Sequence, residues 1–254
     1  MLSRVLCILA TSLAALAAGC AQVQQADAKP RSDGDRISYP CRIAAEPPAI
    51  DGSLDDPAWQ DAPFSTDFIN HRQEAPGLSP TLRTRAKLLY DDANLYVAIV
   101  CGDDDIWGTF DRRDDLVFLE EAAVVYLDPL SSGRDYYGSC VNPLNALFDL
   151  KRPSGTLDMT RRQGLECAAW NAEGFESAVS VDGTINKRSD QDTGWTVEMK
   201  IPFAALGMRP HPGDTWRMQV GRFDRPPSGG LVVSSWTGAI ILHDPHRFGV
   251  LLFR

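Results

Sequence analysis

Histidine is scarce in this chain, with four in 254 residues, and the 25 Lys and Arg side chains are outnumbered by 34 Asp and Glu. The resulting formal charge of −9 argues against nonspecific binding to a nucleic-acid backbone, which demands a basic surface, and against docking of a folded domain on anionic lipid. The histidines, His71, His211, His243 and His246, do not form a His-Glu-x-x-His pair. No two cysteines stand in a Cys-x-x-Cys spacing, which leaves no thiolate zinc knuckle and no covalent haem-attachment motif. Glycine-rich phosphate loops and the Gly-x-Ser-x-Gly nucleophile elbow are missing as well, so nucleotide-loop and α/β-hydrolase chemistry have no support. No internal repeat is visible. What remains is the composition of a folded domain, 44% hydrophobic and 9% aromatic, long enough for a sizeable core without disulfides.

The N-terminus is different. One arginine, Arg4, precedes an apolar run from Val5 to Ala18. The run falls short of the roughly 20 residues of a membrane-spanning helix, but it has the layout of a secretory signal. It ends Leu16-Ala17-Ala18-Gly19-Cys20, which resembles a bacterial lipobox and marks Cys20 as a lipidation site. Residues 1–19 are therefore expected to be a removable signal. Residues 20–38, polar and without periodicity, are expected to tether a domain spanning 39–254 to the membrane of the cell envelope, in the periplasm or at the outer membrane or cell surface. In an exported chain the even set Cys41, Cys101, Cys140 and Cys167 suggests two disulfides, with three possible connectivities.

Along the domain, short β-like runs alternate with Gly, Pro and Asp turns. Thr84–Tyr90 and Asn94–Cys101 flank Asp91-Asp92-Ala93 as a hairpin. Ala122–Asp128, Asp135–Asn142, Ala146–Leu150, Phe175–Val181, Gly194–Ile201, Thr215–Phe223 and Phe248–Phe253 read as further strands. Pro202–Leu206, followed by Gly207, reads as one helical turn. Many strands with almost no helix predict an all-β fold, a two-sheet antiparallel β-sandwich of the jelly-roll or immunoglobulin-like kind.

Five segments stand in an informative order: PAIDGSLDDPAW from Pro48, LLYDDANLYVAI from Leu88, VVYLDP from Val124, GWTVEMKIPF from Gly194 and HDPHRFG from His243. Together they resemble the family 9 carbohydrate-binding modules and the wider family-9-like domains of secreted bacterial proteins. The resemblance implies a noncatalytic, glycan-binding β-sandwich linked to polysaccharide catabolism. In sugar-binding members two tryptophans sandwich a terminal sugar. The corresponding positions here are Phe118 and Leu242. A family Glu corresponds to Val124 and a family Arg to Cys140, while a nearby Asn is retained as Asn142. The stacking site is thus largely replaced, and the candidate ligand residues become Trp107, Arg113, Phe118, Glu120, Asn142, Trp236 and His243.

In the first motif Trp59 is expected to plug the core, as are Trp170, Trp195 and Trp216 elsewhere. Asp51, Asp55 and Asp56 are candidates for Ca²⁺, with turn formation the competing role. Asp103-Asp104-Asp105 reads as a solvated loop. Three other functions compete. One is an interaction or assembly lipoprotein with a decayed sugar site. Another is a haem-binding module drawing ligands from His243, Met159, Met199 or Met218. The last is a hydrolase pairing Glu120 or Glu121 with Asp114.

Overall fold

The computed structural model describes residues 33–70, 82–152, 167–227 and 229–254. The expected signal, Cys20, most of the tether and Met159 lie outside them. Twelve strands are described: β1 (Ser38–Ile43), β2 (Ile69–Asn70), β3 (Thr84–Tyr90), β4 (Asn94–Gly102), β5 (Ala122–Asp128), β6 (Tyr136–Val141), β7 (Leu147–Arg152), β8 (Glu176–Asp182), β9 (Gly194–Pro202), β10 (Thr215–Asp224), β11 (Val232–Ser235) and β12 (Gly249–Phe253). A one-turn helix, α1, occupies Phe203–Leu206 and ends on Gly207 at φ 68°, a left-handed stop that glycine accepts without strain. The strand reading holds within a residue or two. The short β1, β2 and β11 carry too little alternation to be seen in the sequence.

Two antiparallel blocks, β7-β6-β5-β10-β12 and β3-β4-β9-β8, are joined through β1. Ser38–Cys41 of β1 run parallel to Val250–Phe253, and Arg42–Ile43 then run parallel to Leu89–Tyr90. The sheet is therefore mixed, which corrects the expectation of antiparallel pairing throughout. A single strand that changes partners midway carries the hydrogen bonding from one block to the other.

The blocks share one core. Leu95, Val97, Ile99 and Cys101 of β4 and alternate residues of β9 meet Ala123, Val125 and Leu127 of β5 and Met218 and Val220 of β10. The intervening residues of β5, and Tyr96 and Ala98 of β4, are also buried. Tyr96 and Ala98 pack under Trp59 in a second cluster, and Ala122, Val124 and Tyr126 enter a third. Strands dry on both faces read as continuous apolar runs rather than alternating ones.

The segment 44–62 covers the outer face of β4 and β9, and one carboxylate pins it. Glu198, on β9 and fully buried, accepts the backbone N–H groups of Asp51 at 2.9 Å and Gly52 at 2.7 Å and the indole N–H of Trp59 at 2.5 Å. Burial raises its pKa, and these three donors oppose the rise. Trp59 is 0% exposed, as a core plug should be. The hairpin turn is built by Asp91, whose carboxylate accepts Ala93 and Asn94 N–H, each at 2.7 Å, and the Tyr96 hydroxyl at 2.6 Å.

The disulfide expectation is overturned. Cys41, Cys101, Cys140 and Cys167 are all buried and none is joined to another. Register keeps Cys41 and Cys101 apart. Leu88 pairs Val97 and Thr84 pairs Cys101, so Cys41, level with Leu88, is offset from Cys101 by four residues, about 13 Å. Cys140 faces the third cluster instead of the shared core. A disulfide needs Cα atoms within about 7 Å.

Alkylation of the unfolded, unreduced protein should label all four cysteines, and peptide mass mapping that finds any of them cross-linked would refute this arrangement. Glu198→Ala strands three buried donors and should cost about 2–4 kcal/mol of stability in urea unfolding. An unchanged midpoint would show that the 44–62 cover is held some other way.

Candidate functional site

Val124, Cys140, Phe118 and Leu242, singled out by the family resemblance, lie in one region. Val124 and Cys140 face each other across the β5–β6 ladder. Both belong to the third cluster with Tyr126, Tyr136, Phe148, Leu242 and Phe248. Phe118 packs on this cluster, half-buried, with its ring edge-on to Phe148 at 5.1 Å. Leu242 is 2% exposed and lies over Gly221, where an added Cβ would come within 2.8 Å of its methyl carbons. This region is filled by packed aliphatic and aromatic side chains.

The loop 106–120 lies over this region and is held by side chains from three elements. Glu120, buried, accepts Thr109 N–H at 2.6 Å and Phe110 N–H at 3.2 Å, and also the Thr109 hydroxyl. Asn142, fully buried, donates to the Phe110 carbonyl and accepts from Ala146 N–H, both at 2.8 Å. Asn186 brackets Gly108 from the other side, accepting its N–H at 3.1 Å and donating to its carbonyl at 2.8 Å. Asn186 was not singled out from the sequence, and its left-handed φ of 65° is not legible there. Trp107 is half-buried, its indole N–H donating to the Arg225 carbonyl at 3.1 Å.

Trp107, Phe118, Glu120 and Asn142 are thus gathered around one loop. Arg113 is exposed on the same loop but turns to Asp149 at 2.7 Å and Asn171 at 2.8 Å. Trp236 lies in the shared core at 2% exposure, its ring so close to Gly249 that an added Cβ would meet it at 2.5 Å. His243 is at the surface, just before the turn Pro245–Arg247. Trp195 and Trp216 are core side chains, and Trp170 is half-buried on Tyr137. Met199 and Met218 are sealed in the core at 0% exposure, away from any surface that would admit a haem edge.

The acidic candidates are engaged in turns. Asp51 accepts Ser53 N–H, and Asp56 accepts the N–H groups of Ala49 and Ala58, capping the single turn Pro57–Gln60. Asp55 is exposed. These three do not form a Ca²⁺ cage.

The run at 103–105 corrects its sequence reading as a solvated loop: Asp103 is 2% and Asp105 6% exposed. Asp103, Glu121 and Asp224 approach one another closely enough to chelate an ion, but a cation is already built in. Arg222, 1% exposed, bonds Asp103, Asp224 at 3.2 Å and the Gly102 carbonyl at 2.5 Å. Burial, with the neighbouring Asp103 charge, pushes the Glu121 carboxyl up to about 10. It is therefore a neutral acid at pH 7, able to donate to Asp103. Arg222 sets one positive charge between Asp103 and Asp224, and Glu121, at 0% exposure, is not a solvent-accessible hydrolytic group.

The folded state holds the Glu121 proton where the unfolded chain, with an ordinary value of 4.5, has released it. Stability from this group is therefore full below about pH 4.5 and falls as pH rises towards about 10. Glu121→Gln mimics the neutral acid and should remove that loss. At pH 9 it should exceed the parent in unfolding free energy by on the order of 1 kcal/mol or more, with little difference at pH 4. Parallel pH profiles for the two proteins would contradict a neutral Glu121.

Comparison with known proteins bears on the fold and the family. Residues 50–254 match the model of the carbohydrate family 9 binding domain-like family. The fold is similar to a family 9 carbohydrate-binding module from Caldicellulosiruptor kristjanssonii in complex with cellotriose. There the TM-score is 0.60 at 16% identity, covering 86% of this chain and 94% of that one. The module from the same organism in complex with glucose gives 0.59 at 17%, covering 87% and 96%. A Bacteroides uniformis protein gives 0.62 at 13%, covering 86% and 98%. No curated protein sequence matches the chain. With the match running through four-fifths of its length and ending at its last residue, this chain belongs to the carbohydrate family 9 binding domain-like family.

Proposed function

We propose that this protein is a noncatalytic carbohydrate-binding domain, exported and held to the cell envelope by a lipid on Cys20, that serves polysaccharide catabolism. The observation that carries the binding function is the family match over residues 50–254. The similar structures in complex with cellotriose and glucose support a glycan ligand. The domain is read as a two-sheet sandwich, a reading supported by the single core that the two antiparallel blocks share. The ligand surface is assigned to the loop 106–120 and its rim, where Trp107, Phe118 and the exposed Arg113 stand over the buried clamps Glu120 and Asn142.

A second reading has its own observation. Val124, Cys140 and Leu242 fill the aligned sugar position with packed apolar side chains. This favours an assembly lipoprotein that keeps the fold and has lost the stacking site.

Calorimetric titration with glucose, cellotriose and a panel of plant and microbial oligosaccharides separates the two. Saturable binding that weakens about tenfold in Trp107→Ala supports the first reading, since truncating a contact aromatic commonly costs more than 1 kcal/mol. Silence across the panel leaves the second. For the anchor, Cys20→Ser should abolish incorporation of labelled fatty acid and move the protein from the membrane to the soluble fraction. Continued labelling would place the lipid elsewhere.

A further inference from the structure

The outer face of β3, β4 and β9 is covered only in part. At the level of Lys87, Ala98 and Glu198 it lies under the segment 44–62. One and two residue pairs further along the strands that cover is gone, and a cleft of about 670 Å³ opens between Arg83 and Arg85 on one side and Gln191–Thr193 on the other. Its floor is low because Val100 is short and Gly102 pairs with Gly194 in the ladder, two positions without side chains.

The charge in this cleft is unusual for a protein with a net charge of −9. Arg85 and Lys87 project from the same face of β3, and Arg83, just before the strand, continues the every-second-residue spacing and lines the same cleft. Arg85 lies flat over the Phe64 ring, its guanidinium carbon 3.6 Å from the centroid, and Lys87 stands 4.5 Å from the same ring. The ring orients Arg85 without neutralising it. Arg83 is bonded to Asp67 at 2.7 Å, both half in solvent. The other acid in the cleft, Asp192, is committed to the N–H groups of Ile106 at 2.7 Å and Thr184 at 2.8 Å. The positive charge is also felt locally: desolvation, and after it the Arg85 charge, lower the Lys87 pKa.

We propose that this cleft binds the carboxylate of an acidic saccharide, a uronic-acid residue within a glycan chain. The planar Arg85 fork matches a carboxylate bidentately. Arg83, close by on the same face, adds a second guanidinium, which it shares with Asp67. Thr193 and Gln191 offer the hydroxyl and amide that sugar hydroxyls require. The inference deepens the carbohydrate-binding reading and rests on it. The site lies apart from the filled position around Val124 and Leu242, on the opposite block of strands.

The test is calorimetric titration of the protein with oligogalacturonate and, separately, with cellotriose, using the parent, Arg83→Ala/Arg85→Ala and Arg85→Lys. Both arginines are on the surface, and matching circular dichroism and unfolding midpoints confirm that the variants fold. The parent should bind oligogalacturonate with an affinity that falls as salt is raised. The double variant should lose about tenfold or more of that affinity, and Arg85→Lys should recover only part of it. Binding of cellotriose, where present, should be the same in all three. Oligogalacturonate bound equally by parent and double variant, or ignored by a parent that binds cellotriose, overturns the acidic site and leaves the carbohydrate-binding reading standing. No binding of either sugar overturns both.

Discussion

The structure depends on keeping its central strands dry on both faces. Every residue of β5 is buried, and β4 is nearly so. One face of each meets the shared core, so the other must be covered by chain that is not sheet. For β4 and β9 the cover is the segment 44–62 with Trp59. For β5 it is the loop 106–120 and the segment that carries Leu242 and Phe248. Each cover is irregular backbone over an apolar floor, and such backbone must satisfy its polar groups from below.

Buried carboxyl and amide groups do this work. Glu198 holds the first cover, and Glu120 and Asn142 hold the second. Asp149 holds the Ala172 N–H at 2.9 Å together with Arg113. Asp128, at the end of β5, holds Gly133 N–H at 2.7 Å and Ser132 N–H at 3.1 Å. A charged acceptor surrounded by N–H donors repays part of its desolvation, whereas an apolar residue there would leave those donors unsatisfied. The Arg222 cluster extends the same logic: one guanidinium is shared by two acidic side chains, and burial holds the third carboxyl in its neutral form. Acidic residues that look like candidate chemistry in the sequence are in large part fasteners.

This bears directly on where a ligand can sit. On the outer face of β5, Val124, Cys140 and Leu242 form part of a closed apolar cluster. On the other block the cover stops short, and an open arginine-bearing surface remains. The two blocks thus differ in what their outer faces offer to solvent: one is closed by apolar packing, and the other is left partly open.

Much was legible along the chain. The long strands, the hairpin turn at Asp91, the helical turn closed by Gly207 and the core role of Trp59 follow from local periodicity and turn chemistry, because each is decided within a few residues. The site was less legible. Glu120 and Asn142 read as ligand-facing polar residues and prove to be buried clamps. Trp236 reads as a candidate contact and lies in the core. Asp103 reads as solvent-facing and is sealed against Arg222. The four cysteines suggested disulfides by number alone, and register separates Cys41 from Cys101 and turns Cys140 to another face. The sequence by itself determined the all-β class, the positions of nine of the twelve described strands and the family. Only the tertiary structure decided which polar groups face solvent, because in strands buried on both faces the alternation that would mark an outward side is erased.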